Sequence, residues 1–97
     1  MKTLDEIKTV ITTHKAELQE KFKVKTIGVF GSYVRGDQRA DSDVDILVDF
    51  SGSVGLITYG GLERHLSELI GNKVDLVHKS GLKPFIGQQI LAEVIYI

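Results

Sequence analysis

Asp43 and Asp45 are separated by a single residue, and ten residues lie between Asp43 and an upstream pair, Gly31-Ser32. In an extended strand, side chains two positions apart leave the same face. The two carboxylates therefore project together, with Val44 turned the other way. Carboxylates held side by side repel each other unless a cation lies between them. Hard oxygen ligands at this spacing suit Mg²⁺, which takes one or two carboxylates and fills its shell with substrate phosphates and water. Gly31-Ser32 offers a small, flexible turn whose amides and hydroxyl could hold such phosphates. An isolated Asp-x-Asp is common by chance, so the signal rests on the combination, GSYVRGDQRADSDVD. That combination describes a metal-and-nucleotide site.

The elements that must carry these residues alternate between helix and strand. Thr3 followed by Glu6 has the form of a capping box, and Leu4, Ile7, Ile11, Leu18 and Phe22 keep helical spacing. This predicts a first helix to about residue 20. Val24 to Phe30 is short and β-branched, as in a buried strand, and residues 33–41 read as a helical turn and loop. Asp43 to Phe50 alternates: Val44, Ile46, Val48 and Phe50 on one face, Asp43, Asp45, Leu47 and Asp49 on the other. After a loop at 51–55, Leu56, Tyr59, Leu62, Leu66 and Leu69 mark a further helix closed by Gly71. Gly60 and Gly61 inside it cost roughly 1 kcal/mol each against alanine. They either permit close packing on the sheet or move the helix start downstream.

Lys73 to Val77 predicts another strand. Ser80 is positioned to cap a last helix with Pro84 in its first turn and Leu82, Ile86 and Ile90 as its apolar face. Val94 to Ile97 ends the chain as a short strand. The order implies an α+β (or α/β) two-layer fold, with helices on a mixed sheet of about four strands.

The chain has 97 residues, which is the size of a single domain spanning 1–97. It contains no run of about eighteen apolar residues, so no membrane span is expected, and the charged start MKTLDEIKTV lacks the apolar centre of a signal peptide. With no cysteine, disulfide and thiolate chemistry are excluded, and a cytoplasmic address is the simple expectation. The formal charge of −1 exerts no global pull on nucleic acid, and no direct nucleic-acid partner is expected.

The segment GSYVRGDQRADSDVDILVDF resembles the signature of the minimal nucleotidyltransferases of the DNA polymerase β superfamily, a Gly-Ser pair, ten residues and Asp-x-Asp. Arg35-Gly36 and Ser42 accompany it here, and the resemblance extends over nearly the whole chain. It implies a palm-like nucleotidyltransferase fold and a third carboxylate on a later strand, which Asp75 in KVDLVH supplies. The nearest pattern is that of antitoxins paired with HEPN-domain ribonuclease toxins, which they inactivate by attaching AMP from ATP to a toxin tyrosine. In that reading Asp43, Asp45 and Asp75 are the catalytic and metal-binding residues for two Mg²⁺ ions about 3.5–4 Å apart. Gly31 and Ser32 hold the β- and γ-phosphates of ATP. Arg35 or Arg39 neutralises phosphate charge, or forms an ion pair with Asp37 or Asp41. Tyr33 either stacks on the base or packs beneath the loop.

Other polar residues carry less. Asp49 lies at the strand end and reads as solvated. His14 and His65 read as surface residues, and His78, near Asp75 in sequence, as structural, because histidine suits a Mg²⁺ centre poorly. The lysines at 15, 21, 23 and 25 form a solvated face. Tyr59 and Tyr96 are core or interface aromatics. Two competing functions remain at this level: an antitoxin that silences its toxin by contact alone, and transfer to a small molecule such as an aminoglycoside. The intact carboxylate triad favours catalysis, and the shortness of the chain favours a protein acceptor.

Overall fold

A computed structural model describes residues 2–97. Helix α1 (Leu4–Phe22) starts on the expected capping box. The Thr3 hydroxyl accepts from the Glu6 amide, and the Glu6 carboxylate accepts from the Thr3 amide. The helix runs two residues beyond the expected end and stops at Lys23, which adopts a left-handed conformation at φ 58°. The extra length brings Phe22 against the His65 ring, 5.4 Å between centroids.

Strand β1 (Val24–Phe30) leads through the short helix α2 (Ser32–Arg35) and a loop into β2 (Val44–Phe50). Helix α3 (Leu56–Ile70) then crosses over to β3 (Val74–His78). A 3₁₀ turn at Lys79–Gly81 precedes α4 (Pro84–Glu93), and β4 (Ile95–Tyr96) closes the order. The sheet runs β3-β2-β1-β4, with β2 and β3 parallel and the other neighbours antiparallel. Only the parallel pair needs a helical crossover, and α3 provides it. This is the expected mixed α+β arrangement of four strands.

The core follows the alternation of β2. Val44, Ile46, Val48 and Phe50 face Ile7, Ile11 and Leu18 of α1 and Leu62, Leu66 and Ile70 of α3. Directly paired residues share a face, so Ile27 and Val29 join them through Val48 and Ile46. The opposite face carries Phe30, Asp45 and Asp75 in one row and Gly28, Leu47 and Val77 in the next. Leu47 lies on the face of the aspartates, as its spacing implies, and is buried there. This second face is partly roofed by the C-terminal segment. Gly28 lies so close beneath Val94 that a Cβ would collide with it, and Phe30 shares a cavity with Ile86 and Ile90 of α4.

Three local expectations are corrected. Ser80 does not cap α4. Lys83 occupies that position ahead of Pro84, and the Ser80 hydroxyl meets the His78 ring instead. The apolar stripe of α4 does not enter the main core. Ile86 is 59 % exposed, Phe85 is 85 % exposed, and Gly87 is the helix's buried residue. Gly60 neither delays α3, which starts at Leu56, nor permits a close approach, since a Cβ there meets nothing. No helix among the described residues is long and apolar enough to cross a membrane.

Candidate active site

The site forms where β1 ends. Gly31 turns the chain out of the strand at φ 80° and ψ −149°, a conformation open to glycine and strained for other residues. The Asp45 carboxylate lies directly against it, so a side chain at position 31 would overlap Asp45 as well. Ser32 opens α2, and its carbonyl accepts from the Gly36 and Asp37 amides, which closes the turn. Gly31 and the second aspartate of the Asp-x-Asp are therefore in contact, although fourteen positions apart in sequence.

Asp45 pairs in register with Asp75 across the parallel β2–β3 ladder, so both carboxylates leave the same face of adjacent strands. Asp43 stands two positions earlier, at the entrance to β2 rather than within it. Its carboxylate is 3.8 Å from the Lys73 ammonium. The effect on Asp45 is electrostatic. Partial burial, reinforced by the charges of Asp75 and then Asp43, pushes its pKa up to about 6, while Arg35 draws it down. All three groups are carboxylates, the donor chemistry that a hard divalent cation takes. They do not close tightly on one point: no cluster of three metal-ligating side chains is drawn together among the described residues.

Tyr33 is resolved against the base-stacking option. It is 2 % exposed within the core, and its hydroxyl accepts from Asn72 Nδ2 at 2.8 Å, so its ring has no free face. Asn72 also donates to the Ser42 carbonyl at 3.4 Å. Tyr33 and Asn72 thus tie α2, the loop before β2 and the turn before β3 together around Asp43. Arg35 makes the ion pair with Asp37 at 3.4 Å, and a second with Glu93 at 3.2 Å. Hydrogen bonding to Glu93, then to Asp37, raises the pKa of Arg35 further. Arg39 forms no ion pair among the described residues.

Glu93 is the residue that sequence reasoning missed. It accepts from the Gly31 amide at 2.5 Å and from Arg35 Nη1 through both oxygens. The signal was a single charge in an otherwise uncharged stretch, PFIGQQILAEVIYI. Between this carboxylate and the sheet lies a cavity of about 260 Å³ lined by Phe30, Gly31, Arg35, Asp45, Ile86 and Ile90, among others.

His78 packs among aromatic side chains at the end of β3. Its ring meets Phe50 edge-on at 5.0 Å and lies 6.3 Å from Tyr59, with Asp49 at 3.8 Å. Tyr59 donates to the Leu76 carbonyl. His65 joins Glu17 across α3 and α1.

A mixed four-stranded sheet with carboxylates on adjacent strands, beside a Gly-Ser turn, is the architecture of a nucleotidyl-transferring enzyme. Comparison with known proteins narrows this class. Residues 11–97 match the nucleotidyltransferase domain family, and the chain belongs to it. A protein adenylyltransferase MntA of Thermococcus cleftensis is 54 % identical over 97 residues, covering 100 % of this chain and 98 % of the relative. Among solved structures, a candidate minimal nucleotidyltransferase superposes with a TM-score of 0.75 at 35 % identity, over 92 % of this chain and 93 % of that one. A toxin–antitoxin structure with AMP-PNP contains a chain with a TM-score of 0.72 at 26 % identity, over 95 % of this chain and 69 % of that one.

Proposed function

We propose that this enzyme transfers AMP from ATP, with Mg²⁺, to a hydroxyl of a partner protein, a tyrosine of a HEPN-domain ribonuclease toxin, and so neutralises it. The observation that carries the reading is the register of Asp45 and Asp75 on adjacent parallel strands, with Asp43 at the entrance to β2 and the Gly31 turn in contact with Asp45. The name of the Thermococcus relative and the AMP-PNP of the toxin–antitoxin neighbour support the nucleotide and the class of acceptor. The donor set fits the metal in kind, because Asp45 and Asp75 lie in register on adjacent strands and offer, with Asp43 two positions earlier, the hard oxygen donors that Mg²⁺ takes. When bound, Mg²⁺ supplies charge neutralisation for the attacking and leaving oxygens of an in-line displacement.

The roles of this chain's residues follow from their places. Asp43 and Asp45 would hold the metal, and Asp75 would complete the site on the acceptor side and take the acceptor's proton. Gly31 and Ser32 would present an amide and a hydroxyl to the β- and γ-phosphates, and Arg35, once released from Glu93, would face the same oxygens. The acceptor oxygen bonds to the α-phosphorus while the bond from that phosphorus to the bridging oxygen breaks, and pyrophosphate leaves. Most of the catalysis is then positioning and charge stabilisation.

The test is a mass measurement of a candidate HEPN toxin after incubation with this protein, ATP and Mg²⁺. The toxin should gain the mass of one or more AMP groups, and Asp43→Ala or Asp75→Ala should abolish the gain. A toxin that is silenced without any change in mass would overturn the catalytic reading in favour of neutralisation by contact.

A further inference from the structure

Resting on the nucleotide reading above, we propose that Glu93 is an internal phosphate mimic: it latches α4 over the site and must leave before a nucleoside triphosphate binds. The Gly31 amide and the Arg35 guanidinium form a donor fork, and one carboxylate fills it from 62 and 58 residues further along the chain. Carboxylate and phosphate oxygens compete for donors of this kind because both are anionic acceptors. The contact is also the polar fastening of α4 to the site. Glu93 is the single charged residue of the segment 84–97, so no other ionic group on it reaches for Gly31 or Arg35.

Two features make the latch displaceable. The helix is lightly packed, with Gly87 buried and Phe85 and Ile86 largely in solvent. Elements with so little buried apolar surface open at the low end of a protein's range of local stabilities. The Arg35–Glu93 pair is itself partly exposed, with side-chain exposures of 52 % and 26 %. Ion pairs in such surroundings contribute little. The closed latch also opposes the ligand electrostatically, because the Glu93 charge adds to the repulsion already acting on Asp45. A polyphosphate entering the closed form would meet that charge before it met Gly31. Opening removes the competitor and the repulsion together, and it frees Arg35 to face the incoming oxygens.

Apparent affinity for a ligand that needs the open form is the intrinsic affinity reduced by the open fraction. Removing the latch charge should therefore tighten binding. The experiment titrates wild type, Glu93→Gln and Glu93→Ala with AMP-PNP and with AMP, each with Mg²⁺, by calorimetry. Hydrogen exchange over residues 84–93 is followed in parallel. Both variants should bind AMP-PNP about tenfold more tightly and leave AMP, which lacks the β- and γ-phosphates, unchanged. In the wild type, AMP-PNP should accelerate exchange through residues 84–93. If wild type binds AMP-PNP and the variants bind it no better, the latch is overturned and the nucleotide site stands. Glu93 would then be a positioning residue for Arg35. If none of the three binds AMP-PNP, the nucleotide reading falls and the latch with it.

Discussion

At the scale of single residues, Asp45 is where function and stability pull apart. Burial and two neighbouring carboxylates hold its folded pKa near 6, against 3.8 for an ordinary aspartate. Between these values the folded chain binds more protons than the unfolded one, so stability falls as pH rises through that window, and the loss is complete above it. Asp45→Asn has no proton to lose and gains no charge as pH rises. In chelator it should be more stable than wild type by about 1 kcal/mol at about pH 8 and no more stable at about pH 3.5, after discounting for solvent screening at a half-exposed group. Urea denaturation at the two pH values checks this, and an equal difference at both would remove the electrostatic account. The same residue shows what a sequence makes visible. The face of Asp45 follows from the two-residue period of β2, whereas Asp43 falls just before the strand, and the contact of Asp45 with Gly31 depends on the pairing of β2 with β1, which no local period gives. Glu93 follows from neither, since its partners are 58 and 62 positions away and no local period points to it. Tyr33 stayed ambiguous because burial is a property of what covers a residue, and Asn72, which fixes it, comes from another turn.

At the scale of elements, the strands and the first helix were legible because their patterns are local. The alternation of β2 matches its buried face, and the Thr3–Glu6 box sits where α1 begins. The last helix misled for a physical reason. An apolar stripe says that something covers a helix face, and nothing in Leu82, Ile86 and Ile90 says whether that cover is the main core or the rim of a cavity. The glycines of α3 were ambiguous in the same way. Their cost to the helix is intrinsic, whereas a compensating close approach depends on neighbours. The structure supplies no neighbour at Gly60, and only the edge of Phe22, at 3.7 Å, at Gly61. Gly60→Ala should therefore stabilise the fold by roughly 0.5–1 kcal/mol, the difference in helix propensity with no steric penalty to set against it. A chemical-denaturation midpoint measures it, and a destabilised variant would mean that the packing around α3 is tighter than the geometry shows.

At the scale of the whole molecule, the sheet separates two tasks. One face is sealed by α1 and α3 into the hydrophobic cluster, and the other keeps its carboxylates near solvent under the loose cover of α4. A chain of this size has no second layer to absorb the repulsion on that open face, so a ligand that neutralises it should register in global stability. A ligand that binds only the folded state stabilises it by RT ln(1 + [L]/Kd), about 2.7 kcal/mol at roughly a hundredfold excess over Kd. For a domain of this length, that corresponds to a rise of about 10–20 °C in melting temperature. AMP-PNP with Mg²⁺ should produce such a rise, and excess chelator should remove most of it, since the triphosphate alone brings charge without the cation that lets three carboxylates accept it. Asp43→Ala and Asp75→Ala should each lose the rise while keeping their own ligand-free transitions, which separates loss of the site from loss of the fold. A shift that survives chelator undiminished would mean that AMP-PNP is held by Gly31, Ser32 and Arg35 alone, and the metal-bridged arrangement of the three aspartates would have to be abandoned.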